Sequence, residues 1–403
     1  REELDAAGKW VLPGGIDAHC HIEQRSSAGI MTADDFFTGS VSAACGGTTT
    51  IIPFAAQHRG QSLRQIVKDA HARAEGKAII DYAFHLIISD PTEQVLGQEL
   101  PALIRDGYTS FKIYMTYDAL QLDDREILDV LVTARRERAL VMVHAENHAI
   151  ISWLADRLIE AGHSAPKFHA VAHAAPAERE ATHRAITLAE IVDVPLLIVH
   201  VSGREAIEQI RWAHRHGLNV YAETCPQYLF LTAADLGIDD SYQGARCVCS
   251  PPPRDAANQE FVWNGITSGV LSVFSSDHAA YRYDSVDGKK VKGEDGHFKT
   301  IPNGVPGLEI RLPMLFSAGV RTGRITLEQF VAVTATNPAR IYGLNPRKGT
   351  IAVGADARIG VAIAVEPGQG FLDKFILGGD MVGFVQLQLL VFIRSSQKVK
   401  HRF

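Results

Sequence analysis

The sequence predicts a (β/α)8 barrel, and three observations carry that expectation. Between Val11 and Ala280, short β-branched or apolar runs alternate with helical stretches, the pattern of successive βα units around a parallel sheet. Eight such runs can be counted, the number that closes a barrel. Residues able to bind metals or move protons fall at the C-terminal ends of several runs, where barrel enzymes carry their sites. An open, doubly wound sheet is the alternative, and it would gather those residues near one switch point.

In chain order the runs are the one ending GGIDAHCHI, then TTTIIPF, YAFHLII, SFKIYM, ALVMVHA, PLLIVHVS, NVYAETC and VLSVFSSDHA. They are apolar nearly throughout because strands covered on both faces lose the polar alternation of a one-sided sheet. The stretch from Tyr281 to Lys299 is charged and glycine-containing, and reads as a solvated loop over the barrel mouth or as a contact surface. Ile325 to Tyr342 is expected to be helical and to stop at Gly343. KGTIAVGADA, Lys348 to Ala357, is expected to form a hairpin that opens a small β unit. The expected organisation is a remnant of a small β domain at 1–10, a barrel over 11–343, and a return to the β domain over 344–403. Beyond Arg358 the character changes, and the apolar run from Phe384 to Ile393 is too short and interrupted to span a membrane.

Composition narrows the function. A chain of 403 residues, 46% of them hydrophobic, can bury a large core without staples. A formal charge of -6 supplies no basic field, which disfavours nucleic acid or an anionic membrane as partner and favours a small, roughly neutral substrate. The five cysteines are odd in number and include no CxxC pair, which argues against a disulfide framework and a thiolate zinc site. The expected setting is reducing and cytoplasmic.

The sharpest local signal is His19-Cys20-His21 at the end of the first run. Residues two apart on a strand share a face, so the two imidazoles can hold one metal together. Among 17 histidines such a pair could also be structural. His144 in VMVHAEN and His200 in LIVHVSG close strongly apolar runs, where an unpartnered imidazole costs about 1–3 kcal/mol and a metal would supply the partner. Asp277 in FSSDHA closes the eighth run, where a carboxylate is costly unless charges or metals meet it; capping the next helix is the plainer role. Lys112 in SFKIYM, pointed into a barrel mouth, invites a depressed pKa. Its neutral amine could take up carbon dioxide, and the anionic, bidentate carbamate could bridge two metals. Taken singly, Lys112 also fits a snorkelling or ion-paired lysine.

The order HxH, Lys, His, His, Asp on successive strands resembles the amidohydrolase superfamily. The strings PGGIDAHCHIE, FKIYMTY, VHAEN, VHVSG, ETCPQYL, SPPPRD, SSDHA and IPNGVPGLE resemble its dihydropyrimidinase and hydantoinase family, from about Leu12 to Ala357. The resemblance implies two divalent ions, zinc first, with manganese or cobalt able to occupy the same ligands. It implies that His19, His21 and Asp277 hold the more buried ion, that His144 and His200 hold the second, and that N6-carboxylated Lys112 bridges them. It further implies that Asp277 moves the proton, that Tyr117 donates its hydroxyl to the substrate carbonyl, and that the backbone at Ser250 and Asn303 contacts the ring amide. Tyr117 has a structural role as its plain alternative. The implied reaction is hydrolytic opening of a dihydropyrimidine or hydantoin ring to an N-carbamoyl amino acid, by a homo-oligomer, tetramer or dimer.

The segment after HxH, IEQRSSAGIMTADDFF, departs from the commoner pattern and places Glu23 where relatives often have Asp. Because that region faces substrate in the family, allantoin-like ureides and cyclic imides stay open. A dihydroorotase would carry Arg at the position of Glu23. Relatives that serve as non-enzymatic scaffolds have lost the metal ligands, whereas all six positions are kept here. The family also has strands of the small β domain before the first barrel strand and an aspartate-rich strand after the barrel, so a truncated or frame-shifted end is a further expectation. Surface positions are expected for His71, His214 and His216.

Overall fold

Each of the eight apolar runs forms a strand of one parallel sheet in the computed structural model, which describes residues 10–26, 29–356 and 359–362. The first strand, β1 (Trp10–Pro13), stands apart from it. β2 (Gly15–Cys20) pairs with β3 (Thr48–Ala56), and short β4 (Asp81–Tyr82) pairs with the early part of β3. β5 (His85–Ile87), β6 (Ser110–Tyr114), β7 (Leu140–His144), β8 (Leu196–Ile198), β9 (Val220–Thr224) and β10 (Val273–Phe274) follow as neighbours in chain order. The ends meet where Cys20 bridges His278, with the His21 amide donating to the His278 carbonyl at 2.6 Å and the Asp277 amide to the His19 carbonyl at 2.9 Å. The fold is a (β/α)8 barrel.

Strand alternation explains why these runs are apolar on both faces. Tyr114, Leu140, Met142, Leu197 and Val199 turn inward and pack with Ile16, Ile52 and Phe54. Phe111, Ile113, Val141, Val143, Leu196 and Ile198 turn outward into the layer beneath the helices. The helix Asp124–Glu137 shows the complementary pattern, burying Ile127, Val130, Leu131 and Ala134 on one stripe. Asp123 and Glu126 form its capping box, and Arg138 stops it at φ +58°. Below the barrel interior, fully buried Arg311 donates to the Phe274 carbonyl at 2.6 Å and to Thr48 Oγ1 at 2.9 Å, and lies 3.5 Å from Asp17. It ties β10, β3 and β2 at the closing seam.

The helical expectation over 325–342 is met by Leu327–Val331, a π turn at Ala332–Thr336 and Asn337–Ile341, with Gly343 at φ +75°. The hairpin at Lys348 to Ala357 is not formed: residues 348–356 make turns and no strand. Lys348 is the reason. Its buried ammonium reaches Asp81 at 2.5 Å and Asp356 at 3.0 Å, folding the stretch back against β4. The ladder forms further on, where β11 (Ile359–Ala362) pairs antiparallel with β1, Trp10 opposite Ala362. Residues 1–9 of the expected β remnant, Arg358 and the tail over 363–403, including Phe384 to Ile393, lie outside the described residues. Among the described residues no helix is long and apolar enough to cross a membrane.

Candidate metal centre

Strand register delivers the first part of the site. β6 carries Lys112 inward and β7 ends on His144, whereas in β2 a register irregularity between Asp17 and Cys20 shifts the inward parity from Ile16 to His19, with His21 just beyond the strand. His200 lies two residues past β8, where strict alternation from Ile198 would send it outward; φ +41° redirects it. Asp277, three residues past β10, is also held in the left-handed region, at φ +49°. Such backbone costs on the order of 1–3 kcal/mol for a residue with a side chain and persists where the surroundings over-determine it.

The six converge. One ligand atom from each of His19, His21 and Asp277 lies within 4.8 Å of the others. Asp277 Oδ1 is 3.1 Å from His19 Nε2 and 3.4 Å from His21 Nε2. Lys112 Nζ stands 2.8 Å from His19 Nε2, and His200 Nε2 stands 2.9 Å from His144 Nδ1. The outer nitrogens of three rings are held from behind: His19 Nδ1 by Glu223 at 2.5 Å, His21 Nδ1 by Gln24 at 2.9 Å, and His144 Nε2 by Glu146 at 2.7 Å. A partner on the outer nitrogen fixes the tautomer and leaves the inner lone pair facing the centre, as histidine ligands of metals are arranged. The nitrogen and oxygen donors of His19, His21 and Asp277, with two further imidazoles close by, suit a divalent ion of borderline character.

Electrostatics agree with the packing. Burial lowers the Lys112 ammonium to about 8, and it depresses His200 well below the ordinary imidazole range, with charge on His144 adding to the effect. Burial alone would raise Asp277, yet the charge and hydrogen bond of His19, with His21, hold it well below the carboxylate range. Above the cluster opens a cavity of about 560 Å³ lined by His21, Lys112, His144, His200, Asp277, Tyr117, Ser250 and Asn303. His19 sits behind them, fully buried. Asn303 Nδ2 donates to the Tyr117 hydroxyl at 3.4 Å, and burial pushes that phenol upward, so it stays protonated. Tyr117 too is held at positive φ, +70°.

A model of the Amidohydrolase family matches residues 10–382. The chain belongs to the amidohydrolase family. It is 46% identical over 357 residues to a D-hydantoinase of Rhizobium radiobacter, covering 88% of this chain and 76% of that one. A D-hydantoinase of Geobacillus stearothermophilus is likewise 46% identical over 358 residues, covering 88% and 74%. Among solved structures, a dihydropyrimidinase from Brevibacillus agri superposes with a TM-score of 0.85 at 43% identity, covering 89% of this chain and 77% of that one. An L-hydantoinase from Arthrobacter aurescens gives 0.78 at 28% identity over the same shares. Amidohydrolases of this family are metal-dependent, and the His19, His21 and Asp277 cluster is the amidohydrolase's candidate metal site.

Four residues behind the ligands were not singled out from sequence. Glu146 follows His144 by two positions and shares its side of the chain; its second oxygen takes His173 Nδ1 at 2.9 Å. Glu223, in the ETC string at the end of the seventh run, carried the same signal as Asp277, a carboxylate closing a buried strand. His173 and Gln24 lie on loops and helix ends where no pattern marks them. In the segment after HxH, Gln24, Arg25, Ser26 and Thr32 line the cavity, whereas Glu23 turns away from it, both its oxygens 3.0 Å from Lys77 Nζ. His214 and His216 are exposed as expected, whereas His71 is half-buried and bonds the Tyr108 hydroxyl at 2.7 Å.

Proposed function

We propose that this amidohydrolase hydrolyses the C–N bond of a cyclic amide, opening a dihydropyrimidine or hydantoin ring to an N-carbamoyl amino acid. The observation that carries the reading is the convergence of six ligand-type side chains, five of them on the floor of one cavity and His19 buried directly behind, with Tyr117, Ser250 and Asn303 on the cavity wall. The relatives named D-hydantoinase and dihydropyrimidinase support the choice of ring. Two divalent ions, zinc foremost, would be held by His19, His21 and Asp277 on one side and His144 and His200 on the other, with carboxylated Lys112 shared. Bound there, they would supply the Lewis acidity that makes water a nucleophile near neutral pH and polarises a carbonyl.

The side chains do the rest. Asp277 turns Oδ1 toward the inner nitrogens of His19 and His21, where a shared ion would be held, which leaves Oδ2 to take the proton of the attacking water and return it to the leaving ring nitrogen. That return is required because an amide anion is a poor leaving group. Tyr117, kept protonated by burial, donates to the carbonyl oxygen as negative charge grows on it. Among the described residues no protein group takes up the Ser250 carbonyl or the Asn303 amide, so an acceptor and a donor are left for the N–H and C=O edge of a ring amide.

The reading is tested by metal analysis of the purified protein together with hydrolysis of dihydrouracil, hydantoin, allantoin and a cyclic imide. Hydrolysis of a dihydropyrimidine or hydantoin with about two metals per chain is expected. Fewer than about one metal per chain and no turnover of any ring would overturn it. Preference for allantoin or the imide would move the substrate assignment and leave the reaction class standing.

A further inference from the structure

The molecule buries a second lysine close to the cavity, and the chemistry above does not use it. Lys289 belongs to the charged loop after β10, read from sequence as a solvated loop or a contact surface, yet it is 2% exposed. Its Nζ donates to the Val248 carbonyl at 2.8 Å and to the Pro302 carbonyl at 2.6 Å. Among the described residues no carboxylate pairs with it, and burial lowers its ammonium to about 7. A buried cation without a counter-ion is costly, so the two carbonyl bonds, with the Tyr281 ring centroid 5.8 Å away, must hold it in place.

Those carbonyls sit on the two segments that present the ring-binding groups. The Val248 peptide leads through Cys249 to Ser250, and the Pro302 carbonyl belongs to the same peptide group as the Asn303 N–H. The segments also meet each other, because the Gly304 amide donates to the Val248 carbonyl at 3.0 Å. Gly304 permits that approach: it lies at φ +150°, and a Cβ there would fall 2.3 Å from the Ala279 carbonyl oxygen. Lys289 itself is fixed from the far side, where the Tyr242 hydroxyl donates to its backbone carbonyl.

We propose that Lys289 is a positioning residue for ring recognition, its ammonium clamping the Val248 and Pro302 carbonyls and so setting the spacing of the Ser250 carbonyl and the Asn303 amide. A cation on the Pro302 oxygen also draws density from the peptide shared with Asn303 and strengthens that N–H as a donor to a substrate carbonyl. Lys289 touches no substrate, and it acts only through these two peptides. The inference rests on the ring-opening reading.

The experiment compares Lys289→Met and Lys289→Gln with the native metal-loaded enzyme, using hydantoin and dihydrouracil. Loss of a charge-assisted pair of bonds should raise KM about tenfold in Lys289→Met while kcat changes less than about threefold and metal content stays constant. Lys289→Gln keeps a neutral NH2 donor on a shorter side chain and should fall between. A folded, metal-loaded Lys289→Met with native KM overturns the proposal, as does a fall in kcat that tracks lost metal at unchanged KM. If the methionine variant does not fold, native KM in Lys289→Gln overturns it equally. Hydrogen exchange on the native enzyme, during turnover of saturating hydantoin, decides independently. Segments 248–250, 288–290 and 302–304 should gain protection together, and protection of the outer two without 288–290 contradicts the clamp. Native enzyme that hydrolyses no ring would count against the ring-opening reading, whereas native turnover with an unmoved KM in the variants counts against Lys289 alone.

Discussion

The two sides of the cavity are placed by different means. On the proposed metal side, β6 and β7 aim Lys112 and His144 by strand register and an irregularity near the end of β2 turns His19 inward, while the carboxylates of Glu223 and Glu146 lock two of the rings from behind. On the side proposed to meet substrate, Tyr117, Ser250 and Asn303 stand on loops fastened by backbone bonds, by the Asn303 to Tyr117 bond and by the bonds of Lys289 to the Val248 and Pro302 carbonyls. A strand end has one direction in which to point, so its chemistry can be concentrated in one side chain. A loop has many, and its recognition groups are held by several weak fastenings.

That contrast gives the largest expected effect to a strand residue. Lys112→Ala should lower kcat by about a thousandfold or more and reduce bound metal, and short carboxylic acids should restore part of both. Metal content by mass spectrometry and the rate with added acetate or propionate measure this; native activity in the variant would break the bridging role. The native protein adds a pH test. Carbon dioxide reacts with the neutral amine, and burial places the Lys112 ammonium near 8. The rate of carbon-dioxide-dependent reactivation after metal removal should therefore climb as pH rises through about 8 and slow below it. A rate that is flat across that range would detach activity from the lysine.

Tyr117→Phe sharpens the comparison from the loop side. Losing one donor to a developing oxyanion should cost about 10²–10³ in kcat while both metals stay bound. Metal loss in this variant would mean that the two sides are not separable. The substitution also removes the acceptor of Asn303 Nδ2, one fastening between the two loops.

The barrel was legible because eight apolar runs with ligand-type ends allow few other arrangements, and every run became a strand. His19, His21, Lys112, His144 and Asp277 were legible for the same reason: a polar group closing a buried strand has to be met by something. Tyr117, Ser250 and Asn303 were reached only through likeness to a family, since no local periodicity fixes a loop side chain. The positive φ of His200 and Asp277 was invisible, because no glycine marks either position. The hairpin at Lys348 failed for a long-range reason: its turn glycines are local signals, whereas the bond from Lys348 to Asp81 spans 267 residues. Glu223 was legible and overlooked, a carboxylate ending an apolar run like Asp277.

Glu223 also supplies the smallest of these effects and the finest test of the division. Its Oε1 meets His19 Nδ1 at 2.5 Å and the His200 amide at 3.3 Å, and its Oε2 is buried with no hydrogen-bond partner among the described residues. The carboxylate thus makes His19 a better donor at its inner nitrogen and holds the backbone of His200 in its strained conformation. Glu223→Gln keeps the volume and one acceptor oxygen but removes the charge. Metal affinity, measured by chelator competition, should fall about 10–100-fold, and saturating metal should bring kcat most of the way back. Tyr117→Phe should gain nothing from added metal. If Glu223→Gln binds metal as tightly as the native protein yet stays slow, then Glu223 acts on the reaction itself, and the strand side is not a metal cradle alone.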